Sequence, residues 1–422
     1  MRRLYTLLLW LALPALSLQV LWRGFRERAY WQGWAERFGG GAAVAARGGI
    51  WVHAVSVGEV QAGAALIGAL RERWPGQPIL ITSATPAGRA RARELFGASS
   101  DVRYAPYDLP PLLRRLLRER QPALLIVMET EIWPNLLAAC AAQAVPVLFA
   151  SARLSARTAG WYQRLPGLVR NAMQRCVTVA AQSEADAKRF AALGVPATRL
   201  CISGNIKFEQ PAGAGEIERG RRLRGLYATG ASLWVAGSTH AGEEQALLDA
   251  YERLGSQRSH TVLALAPRHA PRFEEVAALL AARGLRYVRH SQSLPPPADL
   301  QVVLIDTLGE LRDFYAAADL AFVGGSLVPV GGHNLLEPAA FGVAILTGPH
   351  QFNAPQICAA LKAAGGLRIV NSTPELAAAA AELLADPSAR ARLGAAARGV
   401  IAANRGVLDT LMARVGELYP PR

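Results

Sequence analysis

Seven short apolar runs, each followed by a stretch of helical periodicity, organise the first half of the chain. They are Ile50–Val55, Pro78–Thr82, Val102–Ala105, Ala123–Met128, Val145–Ala150, Cys176–Ala181 and Leu200–Ser203. Runs of this length without polar alternation suit strands covered on both faces, and the helical stretches supply the crossovers that parallel neighbours need. A second series follows at Leu233–Gly237, Thr261–Ala266, Val302–Asp306, Leu320–Gly324 and Val343–Thr347, with a Pro-marked surface loop at Leu294–Ala298. From Pro374 onward the chain is Ala-rich and helical.

A chain of 422 residues exceeds one ordinary core. The alternation therefore predicts an α/β protein of two doubly wound, Rossmann-like domains with an interdomain cleft, where strand C-terminal ends present ligands. GT-B glycosyltransferases share that plan with many other two-domain α/β proteins. The expected boundaries are an apolar anchor at 1–22, a first domain at 23–209, a linker at 210–230 and a second domain with the helical tail at 231–422. Gly39–Gly49 reads as a short internal linker.

Charge narrows the partners. Lys and Arg number 46 against 32 Asp and Glu, a net charge of +14. A field of that sign calls for nucleic acid, an anionic membrane or a phosphorylated lipid. Basic runs interleaved with aromatics are not spread along the chain, which argues against nucleic acid. Cys140, Cys176, Cys201 and Cys358 form no C-x-x-C pair, so neither zinc nor a redox motif is indicated, and buried free thiols in a reducing compartment are expected.

Leu4–Trp22 carries no charge, follows Arg2 and Arg3, and precedes Arg23, Arg26 and Arg28. About 20 apolar residues cross a bilayer core as helix, so this segment is long enough to anchor the chain, spanning or half-inserted. Ala15 and Ser17 make a weak cleavage pattern, but the apolar run continues beyond them. The following stretch, Arg23 to Phe38, mixes arginines with aromatics at helical spacing, the make-up of an interfacial helix on anionic lipid or of a helix covering the first domain.

The densest polar stretch is Pro329-Val-Gly-Gly-His-Asn-Leu-Leu-Glu-Pro338, after the run ending in Gly324-Gly325-Ser326. Glycines there permit close backbone approach to a ligand, and a helix starting near Asn334 offers free amides. Glu337 could accept two ribose hydroxyls or serve only as a favourable first-turn charge. Glu59 opens the helix after the first strand, and Glu129 and Glu131 close the fourth. Ser238 and Thr239 follow the first strand of the second domain and are placed to bond phosphate or sugar. His53, His260, His290 and His350 have no spacing partner and read as structural or surface residues. The arginines at 89, 91, 93 and 114–120 read as solvated helix faces.

Six segments together resemble the Kdo (3-deoxy-D-manno-octulosonic acid) transferases of lipid A. They are His53-Ala-Val-Ser-Val-Gly-Glu59, Glu129-Thr-Glu-Ile-Trp-Pro-Asn135, Gly204-Asn-Ile-Lys-Phe208, Gly237-Ser-Thr-His240, Ala266-Pro-Arg-His269 and Gly331–Pro338, in the family's order. The resemblance implies transfer of Kdo from CMP-Kdo to a lipid A precursor (lipid IVA) in lipopolysaccharide biosynthesis. It implies that Glu59 is the proton acceptor and that Glu131 and Lys207 support the transition state. It further implies CMP contacts at Arg268, His269, Gly309, Glu310, Leu311, Asn334, Leu335, Leu336 and Glu337. Direct displacement with inversion is expected, with no cofactor and no metal, since a CMP-sugar carries one phosphate charge that protein groups can neutralise. The expected location is the cytoplasmic face of the inner membrane, held by the single N-terminal anchor against its anionic surface. Two alternatives remain: a UDP-sugar-dependent GT-B transferase acting on another membrane lipid, and a non-catalytic sugar-nucleotide-binding membrane protein.

Overall fold

A computed structural model describes residues 1–41, 47–209, 212–292 and 295–419. Parts of three expected segments, at 42–46, 210–211 and 294, lie outside the described residues. The chain divides into two units, Met1–Glu209 with Gly406–Arg422, and Gln210–Arg405.

In the first unit the apolar runs become β1 (Ile50–His53), β2 (Ile79–Ser83), β3 (Asp101–Tyr104), β4 (Leu124–Met128), β5 (Val147–Ala152), β6 (Val177–Ala181) and β7 (Leu200–Ile202). All pair in parallel, in the order β3-β2-β1-β4-β5-β6-β7. Side chains alternate between faces, so one strand feeds two cores. Trp51, Leu125, Val127 and Phe149 pack on one side, while Ile50, Val52, Ile126 and Leu148 pack on the other. This double burial explains why the strands read as continuous apolar runs.

In the second unit the strands are β8 (Ser232–Thr239), β9 (Thr261–Pro267), β10 (Tyr287–Arg289), β11 (Val302–Leu304), β12 (Leu320–Val323), β13 (Ala344–Thr347) and β14 (Arg368–Ile369). They too are parallel, in the order β10-β11-β9-β8-β12-β13-β14. In each sheet the first strand is flanked by strands that run on in opposite directions through the sequence. That creates a switch point, between β1 and β4 in one unit and between β8 and β12 in the other, where loops diverge and leave a crevice.

The expected boundaries change in two places. Residues 214–230 do not form a linker: Ala214–Tyr227 is a helix of the second unit. It lies so close to the helix Leu311–Ala317 that a Cβ on Gly220 would sit 2.7 Å from the Ala316 methyl. Arg219 clamps Asp313 at 2.6 and 3.0 Å, and Arg312 clamps Glu216 at 2.6 and 3.0 Å. The tail also divides. Thr373–Ala385 and Pro387–Ala403 stay with the second unit, but the last helix, Val407–Leu418, belongs to the first. Val407, Leu411, Val415 and Tyr419 complete its core, Tyr419 donates to Gln77 at 2.9 Å, and Leu408 N–H donates to Glu209 at 3.1 Å.

The N-terminal segment is a helix, Arg2–Arg26, long and apolar enough to cross a membrane, with a mean hydropathy of 1.8. Pro14 lies inside it. Beyond Arg26 the Arg/aromatic stretch is not one helix. It breaks into a 3₁₀ turn, Arg28–Trp31, and a short helix, Trp34–Arg37, separated by Gly33 in the left-handed region at φ 68°. The break lets Trp31 fold back to donate to Leu21 C=O at 3.0 Å. It also lets Glu36 pair with Arg89 at 2.5 Å and Arg37 lie 3.8 Å over the Tyr104 ring.

Candidate active site

The switch point of the first unit gathers acid side chains. Ser56 caps the helix Val57–Ala62 by accepting from Glu59 N–H at 3.4 Å, and the Glu59 carboxylate accepts from Val55 N–H at 2.6 Å. This reciprocal capping orients the carboxylate over the end of β1. The helix-start role and the crevice position are therefore properties of one side chain. Burial pushes the Glu59 carboxyl up to about 8, the charges of Glu131 and Glu129 add to the rise, and the Val55 N–H opposes it.

Glu129 ends β4 with a left-handed backbone, φ 52°, a conformation costly for a residue with a Cβ and typical of functional turns. Its carboxylate takes the Lys207 ammonium at 2.5 Å. Glu131, two residues on, accepts from the Trp133 indole at 2.8 Å, and burial raises its pKa. Lys207 reaches the group from Ile206–Phe208, a 3₁₀ turn held where Ile206 N–H donates to Ser151 Oγ at 3.1 Å. The structure thus brings Glu59, Glu131 and Lys207 together and adds Glu129 and Trp133, which sequence reasoning passed over as site residues. His53 stays structural: it is fully buried, pairs with Thr82 at 2.8 Å, and meets Trp133 edge-on at 4.7 Å.

The switch point of the second unit gathers nitrogen side chains. Arg268 and His269, after β9, are exposed, and His269 lies edge-on to His240 at 5.4 Å. Gly309, at φ 90°, precedes Glu310 and the helix start at Leu311. Asn334 accepts from Leu336 N–H at 3.1 Å and donates to Glu337 at 3.1 Å, so one side chain just before the helix holds its first turn and orients the carboxylate. Burial raises the pKa of Glu337, while Asn334, Arg312 and Arg268 favour its charged form.

Three expectations here need correction. Thr239 is fully buried and its hydroxyl donates to Glu244 at 2.9 Å, so it cannot reach phosphate or sugar. A bulge between Gly237 and Thr239 lifts Ser238 out at φ 56°, which leaves Ser238 as the available hydroxyl of the pair. The side chains of Leu335 and Leu336 are core, so any ligand contact there is through the main chain. The third correction concerns the glycines. The N–H groups of Gly325, Ser326 and Leu327 all donate to the buried Glu243 carboxylate, at 2.7, 2.9 and 2.9 Å. Gly331 and Gly332 turn inward at positive φ, where a Cβ would strike Phe352 or Gln351. Part of the close backbone approach that these glycines permit is thus to the protein's own carboxylate and side chains. Glu243-Glu244 at a helix start is the sequence signal that could have announced it.

Residues 32–210 match the family model described as 3-deoxy-D-manno-octulosonic-acid transferase (kdotransferase). The chain is 39% identical over 414 residues to the 3-deoxy-D-manno-octulosonic acid transferase of Haemophilus influenzae, covering 97% of each chain. It is 39% identical over 422 residues to that of Bordetella pertussis, covering 96% of each. Among solved structures, the UDP-GlcNAc 2-epimerase from Neisseria meningitidis bound to UDP-GlcNAc aligns with a TM-score of 0.54 at 14% identity. That alignment covers 87% of this chain and 100% of the other, and it speaks to the fold alone. Near-complete coverage at this identity means that the chain belongs to the 3-deoxy-D-manno-octulosonic acid (Kdo) transferase family.

Proposed function

We propose that this glycosyltransferase moves Kdo from CMP-Kdo to a hydroxyl of lipid IVA, by direct displacement with inversion. The observation that carries the mechanism is the Glu59 carboxylate, oriented by its own helix cap and raised to about 8 among two other carboxylates. A general base works best when its pKa lies near the working pH, so that it is both available and strong enough to take the hydroxyl proton. The Lys207–Glu129 pair puts a fixed cation beside Glu131, suited to the negative charge of the donor sugar. On the second unit, Glu337 is oriented to accept ribose hydroxyls, and the exposed Arg268 guanidinium suits the single phosphate charge.

The N-terminal helix supports a membrane location. At one end Tyr5 donates to Asp108 at 2.9 Å and Thr6 to Asn135 at 3.0 Å. Just past the other end Ala29 C=O accepts from Tyr104 at 3.2 Å. Both ends are thus bonded to one unit, whereas a spanning helix would separate them by a hydrocarbon core of about 30 Å. These bonds support a helix that lies along the inner membrane's cytoplasmic face, where the exposed Leu7, Leu11, Leu18 and Phe25 would meet lipid. Its flanking arginines meet anionic headgroups.

Incubation of the full chain in detergent with CMP-Kdo and lipid IVA, followed by mass spectrometry, tests the activity. Acceptor heavier by Kdo residues is expected; no transfer from CMP-Kdo, with transfer from a UDP-sugar, would replace this reading by its rival. For the anchor, an Arg2→Cys variant in inverted membrane vesicles should react with a membrane-impermeant maleimide. Labelling only in right-side-out vesicles would mean that the helix spans.

A further inference from the structure

His240 and His333 lie 93 positions apart in the chain, yet their Nε2 atoms meet at 2.8 Å with the rings only 4° from parallel. Two imidazole nitrogens at that distance require one proton between them, one ring donating and the other accepting. The neutral pair then has one outward N–H and one outward lone pair, both at Nδ1 positions. Such a pair can give a proton at one end and take one at the other while the shared proton shifts across, without either ring becoming charged. The surroundings favour that neutral state. Desolvation lowers both pKa values, His333 to about 4, and Arg268 and His269 act in the same sense on both rings, as does Arg272 on His240. Glu243 opposes this on His240, whose main-chain N–H donates to the Glu243 carboxylate at 3.0 Å.

The same loop explains why a donor's phosphate would need such a pair. Its amides at Gly325, Ser326 and Leu327 are all taken by Glu243 and cannot bind an anion. Side chains beside the loop, His240 and His333 among them, are then needed to help meet the phosphate's charge.

Resting on the function proposed above, we propose that His240 and His333 form a proton relay to the phosphate of the departing nucleotide. As the bond between anomeric carbon and phosphate oxygen breaks, its electron pair stays on that oxygen and the phosphate passes from one negative charge to two. The outward N–H of the pair gives its proton to the phosphate, the shared proton crosses between the Nε2 atoms, and a water reloads the far Nδ1, the hydroxide it leaves being neutralised by the proton that Glu59 later releases. The acceptor hydroxyl's proton leaves separately, to Glu59.

A phosphate monoester has a second pKa of about 6, so solvent can supply this proton in acid but not in base. His240→Asn and His333→Asn should therefore each lower kcat, by about tenfold near pH 6 and about a hundredfold at pH 8.5, within the usual worth of acid–base help. A relay broken once is broken, so the double variant should be no slower than the slower single one. Donor KM and CMP affinity by calorimetry should change less than about threefold if the phosphate's main cation is untouched. Multiplying losses in the double variant, or losses equal at both pH values, would overturn the relay and leave the transferase standing. Absence of CMP binding to the wild-type chain would instead overturn the proposed function.

Discussion

The two switch points are built alike and carry different side-chain chemistry, carboxylates at the first and imidazoles at the second. Each sits beside a strand end where a non-glycine residue is held at positive φ, Glu129 in one unit and Ser238 in the other. Around the first stand Glu59, Glu129 and Glu131, and burial holds Glu59 and Glu131 toward their protonated forms. Around the second stand His240, His333 and Arg268, and burial holds the imidazoles toward their neutral forms. One physical cause, desolvation, thus makes stronger bases of carboxylates and weaker bases of imidazoles. The difference matches the division of labour proposed above, in which the first unit takes a proton from an acceptor and the second receives a nucleotide that leaves with more charge than it brought.

The sharpest way to break this division is Glu59→Gln. Turnover should fall by about 10²–10⁴, the worth of a positioned base, with CMP affinity unchanged. The same variant should be more stable than the wild type in alkali. The folded chain keeps Glu59 protonated up to about 8 while the unfolded chain releases that proton near its ordinary value, so wild-type stability falls as pH rises between the two. Thermal melts should show no gain for Glu59→Gln at pH 4 and a gain that levels off above pH 8. A parallel change on the other side, Glu337→Ala, should weaken CMP binding by about 1.5–3 kcal/mol, the range for a hydrogen bond to a charged group. Unchanged affinity by titration calorimetry would place the ribose elsewhere. The smallest effect should come from removing divalent metal. The Lys207 ammonium already sits 2.5 Å from Glu129, where a cation would otherwise be needed. Activity in excess EDTA should stay within about threefold of that in magnesium, the donor phosphate carrying a single charge that a fixed cation can meet. Abolition with rescue by a divalent ion would turn Glu129 and Glu131 into ligands.

The inner strands of both sheets were legible because parallel strands buried on two faces must be apolar throughout, as at Leu124–Met128, whereas the half-exposed edge strands β10 and β14 carry no such run and were missed. Periodicity reveals that a helix has an apolar face, not which body it covers, and so Val407, Leu411 and Val415 gave no sign that they complete the first unit. The helix Ala214–Tyr227 was hidden for a related reason. Its Gly- and Arg-rich composition reads as polar loop, and its holding partners, Arg312 and Asp313, lie more than ninety positions on. At the candidate site, Glu59 and Glu337 stand in the first turns of helices, where the sequence placed them. Thr239 was misread because strand alternation and a bulge decide which of two neighbouring hydroxyls faces outward. The His240–His333 contact joins two motifs that only the sheet order brings together, across the gap between β8 and β12.

The central claim is that Glu59 acts as a base with a pKa raised by burial and by its neighbouring carboxylates. It is tested most directly by the pH dependence of kcat/KM for Kdo transfer, measured for the wild type and for Glu131→Gln. The wild-type profile should rise with an apparent pKa near 8, and the variant's rising limb should move to lower pH because one of the raising charges is gone. A wild-type profile flat from pH 6 to 9, or a limb that Glu131→Gln leaves in place, would contradict the account.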